Sequence, residues 1–221
     1  MKKNKIYSIL LISMLTLSGC GGVKVVDAWK SPNASEMRNS NILVLARTTN
    51  KKARIAFERE ITDLLIENGM NATASFSRFP KLNPEAEMTE ERKNLIRFIL
   101  ESEGYDAVVM SVVKDVRERV VTSYDAGSYF GGPWDHYYPS YYGGFYGYYY
   151  QPYVYGYSVS VGNEPFRYTS KAYYLETVAY DLKFPDNAQL VAVVTSTIED
   201  PDDAYKTAEK YAQEIVNALK K

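Results

Sequence analysis

Histidine and cysteine occur once each in these 221 residues, as His136 and Cys20, and tryptophan occurs twice. No apolar run reaches the roughly 20 residues of a membrane span. Each shortage closes a class of function. A lone cysteine permits no intramolecular disulfide. A zinc centre needs several nitrogen or sulfur ligands at defined spacing, and one histidine without a second cysteine cannot supply them. A serine hydrolase of the nucleophile-elbow type needs G-x-S-x-G and a histidine base. The motif is missing, and His136 alone would have to serve. No phosphate loop or dinucleotide glycine pattern occurs, so nothing in the chain asks for a cofactor. Positive charge is not in excess either: 26 basic residues face 27 acidic ones, which argues against a general nucleic-acid binder.

Tyrosine is present in quantity, with 21 residues against eight phenylalanines. So is a patterned amino terminus. Residues 1–5 carry Lys2, Lys3 and Lys5 and no acid, and residues 6–17 are mostly apolar. Leu17, Ser18, Gly19 and Cys20 follow. A basic head, a short apolar run and a small-residue end are the marks of a secretory signal. The four-residue end resembles the bacterial lipobox. That resemblance implies diacylglyceryl transfer to the Cys20 thiol, cleavage before Cys20 and acylation of the freed amine. One acyl chain holds a protein marginally, whereas two or three hold it stably. Gly21 after the cysteine, in place of aspartate, resembles lipoproteins sent to the outer membrane. The resemblance thus places the body on the envelope, facing the periplasm or exterior. Cleavage removes three lysines and no acid, leaving 23 basic against 27 acidic residues.

The expected organisation is a signal peptide over residues 1–19, a lipidated tether and lead-in over 20–40, and a single domain over 41–221. Within the lead-in, residues 23–29 read as a short strand with Trp29 as packing anchor. Residues 42–46 form a continuous apolar, β-branched run, as in a strand buried on both faces. Asn50 can cap the helix that follows, whose Ala53, Phe57, Ile61, Leu64 and Leu65 recur at helical spacing, and Gly69 suits its left-handed end. Ala72, Ala74 and Phe76 alternate, predicting a weaker strand. A second helix begins near Pro84 or Thr89, with Leu95, Ile96, Ile99 and Leu100 as its apolar face, and ends at Gly104. Residues 105–122 are the longest strand signal. Residues 171–183 and 189–197 form a β-hairpin turned at Pro185. Asp200, Pro201, Asp202 and Asp203 start a final amphipathic helix. The fold class is α/β, with α+β open: a mixed sheet packed with about three helices, whose helix–strand alternation predicts parallel pairing in the first half.

Asp27-Ala28-Trp29, the strand at residues 41–46, Ala56-Phe57-Glu58, Gly104-Tyr105-Asp106-Ala107 and a Tyr/Gly-rich insert together resemble a family of bacterial lipoproteins of unknown function. The fold is similar in outline to small α/β domains of periplasmic assembly lipoproteins and to the TolB amino-terminal domain. Fold likeness does not transfer function.

The insert, residues 123–169, has two readings. It is a biased loop whose rings pack on one another, or it is an aromatic binding surface in which tyrosine offers a rigid ring and a hydroxyl at low entropy cost. Trp134, His136, Tyr146, Tyr148, Tyr149 and Tyr150 are the candidates for such a surface, toward an envelope protein or glycan. The acids Asp115, Glu118, Glu176 and Asp181 fall on strands. Paired acids roughly 5–10 Å apart in a cleft would suit glycoside hydrolysis, while a solvated face paired with Arg117, Arg119 or Lys183 is the plainer reading. The chain therefore reads as a non-enzymatic binding or scaffold lipoprotein. Two alternatives stay open. One is an auxiliary subunit of a transport or assembly complex, which predicts an exposed apolar patch on the body. The other is a glycan-acting envelope enzyme.

Overall fold

In the computed structural model, residues 22–81, 83, 86, 89–121, 144–150 and 168–220 are described. Six strands form one mixed sheet: β1 (Val23–Lys30), β2 (Asn41–Arg47), β3 (Asn71–Ala74), β4 (Ala107–Val121), β5 (Tyr168–Asp181) and β6 (Leu190–Glu199). Their order across the sheet is β1-β6-β5-β4-β2-β3. β3, β2 and β4 are parallel, and β4, β5, β6 and β1 are antiparallel neighbours. The α/β expectation holds, with parallel pairing where helices and strands alternate.

β2 is central because its run from Ile42 to Ala46 is apolar at every position and buried throughout. Alternation then splits its side chains between two cores. Ile42, Val44 and Ala46 face helices α1 (Lys51–Glu67) and α5 (Ala204–Lys220). Leu43 and Leu45 face α3 (Glu90–Ser102) and α4 (Phe145–Tyr150). β4 does the same with Ala107 and Val109 on the first face and Val108, Met110 and Val112 on the second.

The helix ends follow their local chemistry. Asn50 Oδ1 accepts from Ala53 N at 3.0 Å and caps α1. Gly69 takes φ +80° at its other end, the left-handed conformation glycine adopts without cost. Thr89 Oγ1 caps α3 through Arg92 N at 3.3 Å, which settles its start at Glu90, and Gly104 closes it at φ +69°.

Several expectations are corrected. The lead-in is built into the sheet: β1 pairs along its length with β6, and a 3₁₀ helix (Pro32–Asn39) carries the chain on to β2. β3 ends at Ala74, and Phe76 sits in a single helical turn, α2 (Ser75–Arg78), because Phe76 N and Ser75 Oγ are drawn to the Glu58 carboxylate. Leu95 is exposed, so α3 buries Ile96 and Leu100 alone. Asp200 is not the start of α5. It sits at φ +44° and pins the β5 backbone, accepting from Lys171 N at 2.6 Å, while Asp203 caps the helix through Tyr205 N and Lys206 N. Among the described residues three longer α-helices are present, and the two short ones, α2 and α4, add to the expected number.

Candidate functional site: an apolar cavity between two helices and the sheet

α1 and α5 lie side by side on one face of the sheet. Midway along, Phe57 and Tyr211 fill the space between them, with ring centroids 5.0 Å apart. Toward the carboxyl ends of the helices small side chains come in from several elements. Ala212 on α5, Ala179 on β5, Ala192 on β6 and Ala34 on the 3₁₀ helix meet where larger residues would close the gap, and a cavity of about 640 Å³ remains. That lies within the roughly 300–1,000 Å³ usual for small-molecule sites.

Its walls are apolar: Ile61, Leu64 and Leu65 from α1, Ile215 and Leu219 from α5, and Val191 from the sheet are among them. The floor is buried, whereas Lys30, Ser35 and Arg38 at its margin are exposed. Lys30 Nζ donates to the Leu219 carbonyl at 2.5 Å, a cation set on a helix carboxyl end. Among the described residues no Asp, Glu, His or Cys lines the cavity.

One polar feature touches the floor. Thr177 Oγ1 lies 2.6 Å from Ser111 Oγ and 2.8 Å from Tyr211 Oη, a buried chain of hydroxyls across the sheet centre. Burial pushes the Tyr211 phenol up to about 12, against the hydrogen bond with Thr177. It is a neutral donor at ordinary pH, not a nucleophile.

A second cavity, about 300 Å³, opens at the other end of the same face. β2 and β4 are parallel, β5 reverses, and β6 reverses again, so the helices following β2 and β6 both start there. Arg47, Asn50, Lys52, Ser111, Tyr173 and Asp202 line this opening. Lys52 is engaged, 3.7 Å from Asp203 and 5.7 Å from the Tyr205 ring centroid.

The four tyrosines of α4 do not make an exposed surface. Tyr148 and Tyr149 are fully buried with Phe145 in the second core, and Tyr146 and Tyr150 are half-buried. Tyr148 Oη donates to Glu176 Oε1, which also holds Lys114 Nζ at 3.1 Å. Arg47 donates to the Tyr149 carbonyl at 2.6 Å. Arg97 and Lys93 sit over the Tyr146 and Tyr150 rings at 4.9 and 5.0 Å. Burial raises the Tyr146 and Tyr149 phenols and pushes Tyr150 up to about 12. Trp134, His136 and Cys20 lie outside the described residues.

The strand acids are engaged rather than poised. Arg117 holds Asp115 at 2.6 Å, Lys171 holds Glu118 at 3.0 Å, and Lys183 lies 3.5 Å from the buried Asp181. None of the four lines either cavity. Among the described residues no group of three His, Cys, Asp or Glu is placed to hold a metal ion. The cavity itself had no signal in the sequence, since the alanines and valines of its walls are scattered over five elements.

No family model and no curated protein matches the chain. Among solved structures it is similar in outline to a PelC dodecamer from Paraburkholderia phytofirmans, at 10% identity and TM-score 0.40, over 90% of this chain and 97% of that one. It is also similar to a DUF4136 family protein from Bacteroides thetaiotaomicron, at 11% identity and TM-score 0.33, over 90% of this chain and 94% of that one. Likeness at this level carries nothing about what the chain binds.

Proposed function

We propose that this chain is a lipid-anchored protein of the bacterial envelope, held at the outer membrane on the strength of its Gly21, that binds an apolar ligand and does not transform it. The observation that carries the binding role is the 640 Å³ cavity, apolar on its walls and free of any carboxylate, imidazole or thiol. Among its described lining residues no carboxylate, imidazole or thiol stands ready for acid–base or nucleophilic work, which supports holding a ligand over transforming it.

The anchor is supported by the basic head, the apolar run and the Leu17–Cys20 motif. Its geometry follows from β1. Val23 already pairs with Ile198, so Gly21 and Gly22 alone separate Cys20 from the sheet. Three residue steps span at most about 10 Å, so the body would sit against the bilayer surface. It would present the end where the β4–β5 pair runs on past its neighbours, since Ala172 is already level with the last residue of β6. Among the described residues no helix is long and apolar enough to cross a membrane.

N-phenyl-1-naphthylamine, a neutral apolar fluorophore, tests the binding role. The Cys20→Ala chain, recovered without detergent, should bind it in the folded state at one site. Ala212→Met, which projects into the cavity, should weaken that binding about tenfold or more without lowering the melting temperature. Unchanged binding in the filled variant would sink the proposal.

A second reading has its own observation. Phe98 and Leu95 on α3 are 66% and 49% exposed, the apolar patch an auxiliary subunit would offer a partner. Loss of cross-links to envelope proteins on Phe98→Ser would favour it.

A further inference from the structure

We infer that the cavity holds a single acyl chain that ends in an anionic headgroup, with the chain between α1 and α5 and the anion at Lys30 and Arg38. The inference rests on the binding role proposed above and names its ligand.

The shape of the site sets the chain. Among the described residues its walls are mostly aliphatic side chains and methionines with no aromatic ring, and the hydroxyl of the buried Thr177 is already committed to Ser111 and Tyr211. A ligand with polar groups along its length would leave them unpaired there, which burial penalises. A saturated hydrocarbon leaves nothing unpaired, and each methylene it buries adds to the binding.

The charge at the margin sets the headgroup. Lys30 and Arg38 are both exposed at the cavity's edge, and no acid lines it to neutralise them. Arg38 has no ion pair or hydrogen bond among the described residues. A guanidinium presents a planar fork of donors that matches a carboxylate or phosphate. Lys30 keeps two further donor positions beyond the Leu219 carbonyl.

The lipid on Cys20 is not the occupant. β1 is antiparallel to β6, with Val23 at the Ile198 end and Lys30 at the Ala192 end. Eight extended residues set the anchor and the charged margin about 25 Å apart. A lipid carried just before Val23 would start from the opposite end of β1, so the ligand inferred for the cavity is a separate molecule.

The test uses the Cys20→Ala chain and displacement of N-phenyl-1-naphthylamine by palmitate, by palmitoyl lysophosphatidic acid and by hexadecanol. The first two share a chain and an anion and separate a carboxylate source from a phosphate one; the third has the chain alone. At least one anionic ligand should displace the fluorophore about tenfold more tightly than hexadecanol. Lys30→Gln with Arg38→Gln should erase that preference and leave fluorophore affinity unchanged. The preference should also shrink between 50 mM and 500 mM salt. Leu64→Trp, which narrows the cavity from α1, should weaken all three ligands about tenfold or more. It serves as a second blocking variant if Ala212→Met does not fold. Equal displacement by hexadecanol and both anions would overturn the headgroup assignment while leaving an apolar binding site. Failure of the parent chain to bind the fluorophore at all would overturn both this inference and the binding role.

Discussion

Glu58 is fully buried, and four donors close on its carboxylate: Ala46 N at 3.0 Å, Arg54 Nε at 2.9 Å, Ser75 Oγ at 2.9 Å and Phe76 N at 2.6 Å. One side chain on α1 thereby ties the end of β2 to the turn that follows β3. Removing one partner of a buried pair strands the other charge and costs about 3–5 kcal/mol. Glu58→Ala should lower stability by that order, read as a fall in the urea midpoint at unchanged slope, and Glu58→Gln should cost less because it still accepts. A loss below 1 kcal/mol for Glu58→Ala would show that Arg54 finds another partner. Tyr211 gives a prediction in pH. Burial raises its folded value to about 12, above the roughly 10 of an exposed tyrosine. The contribution is therefore fully present below pH 10 and is lost as pH rises through about 12, because the unfolded chain releases its proton first. Two units correspond to about 3 kcal/mol at most. Melting temperatures of the parent should drop more steeply between pH 9.5 and 11.5 than those of Tyr211→Phe. Parallel curves would refute the assignment.

At the scale of elements, α4 departs furthest from expectation. In the sequence the core periodicity lies in residues 41–122 and 170–221, which makes residues 127–162 removable on that reading, yet Phe145, Tyr148 and Tyr149 plug the second core beneath α3. Its entry is tight as well: a Cβ at Gly144 would lie 2.9 Å from Asp186 Cβ. Excising residues 127–162 should therefore abolish the cooperative thermal transition. Phe145→Ala alone should cost about 3–5 kcal/mol, as large-to-small changes in cores do. A cooperative transition in the excised chain, at the parent's temperature, would show that the two cores stand without α4. The reason for the misreading is physical. Period detection needs contrast between apolar and polar positions. Residues 145–150 are aromatic at every position but Gly147, so the inward rings cannot be told from the outward ones. β1 escaped its full role for a related reason: Val23 and Asp27 are buried with the exposed Lys24 and the half-buried Val25 and Val26 between them, a pattern weak for an edge strand.

For the whole molecule, the proposed anchor and the cavity are separable. Cys20→Ala should move the protein from the membrane fraction to the soluble one and end labelling by fatty acid, while its melting temperature stays within about 2 °C of the parent, since the described fold begins at Gly22. A Cys20→Ala chain that still sediments with membranes, beside a parent that takes up no label, would refute the lipoprotein reading. The sequence by itself determined what depends on near neighbours. The apolar run of β2, the helical spacing on α1 and α5, the Asn50 and Thr89 caps, the left-handed Gly69 and Gly104 and the β5–β6 hairpin each need only residues within a turn or a strand length, and so does the lipobox resemblance at Cys20. The tertiary structure alone decided what depends on distant partners. It set the strand order, folded Tyr148 inward onto Glu176, and brought Ala34, Ala179, Ala192 and Ala212 to one place. A cavity is the volume left when four small side chains meet, and nothing at any one of those positions records that the other three are there.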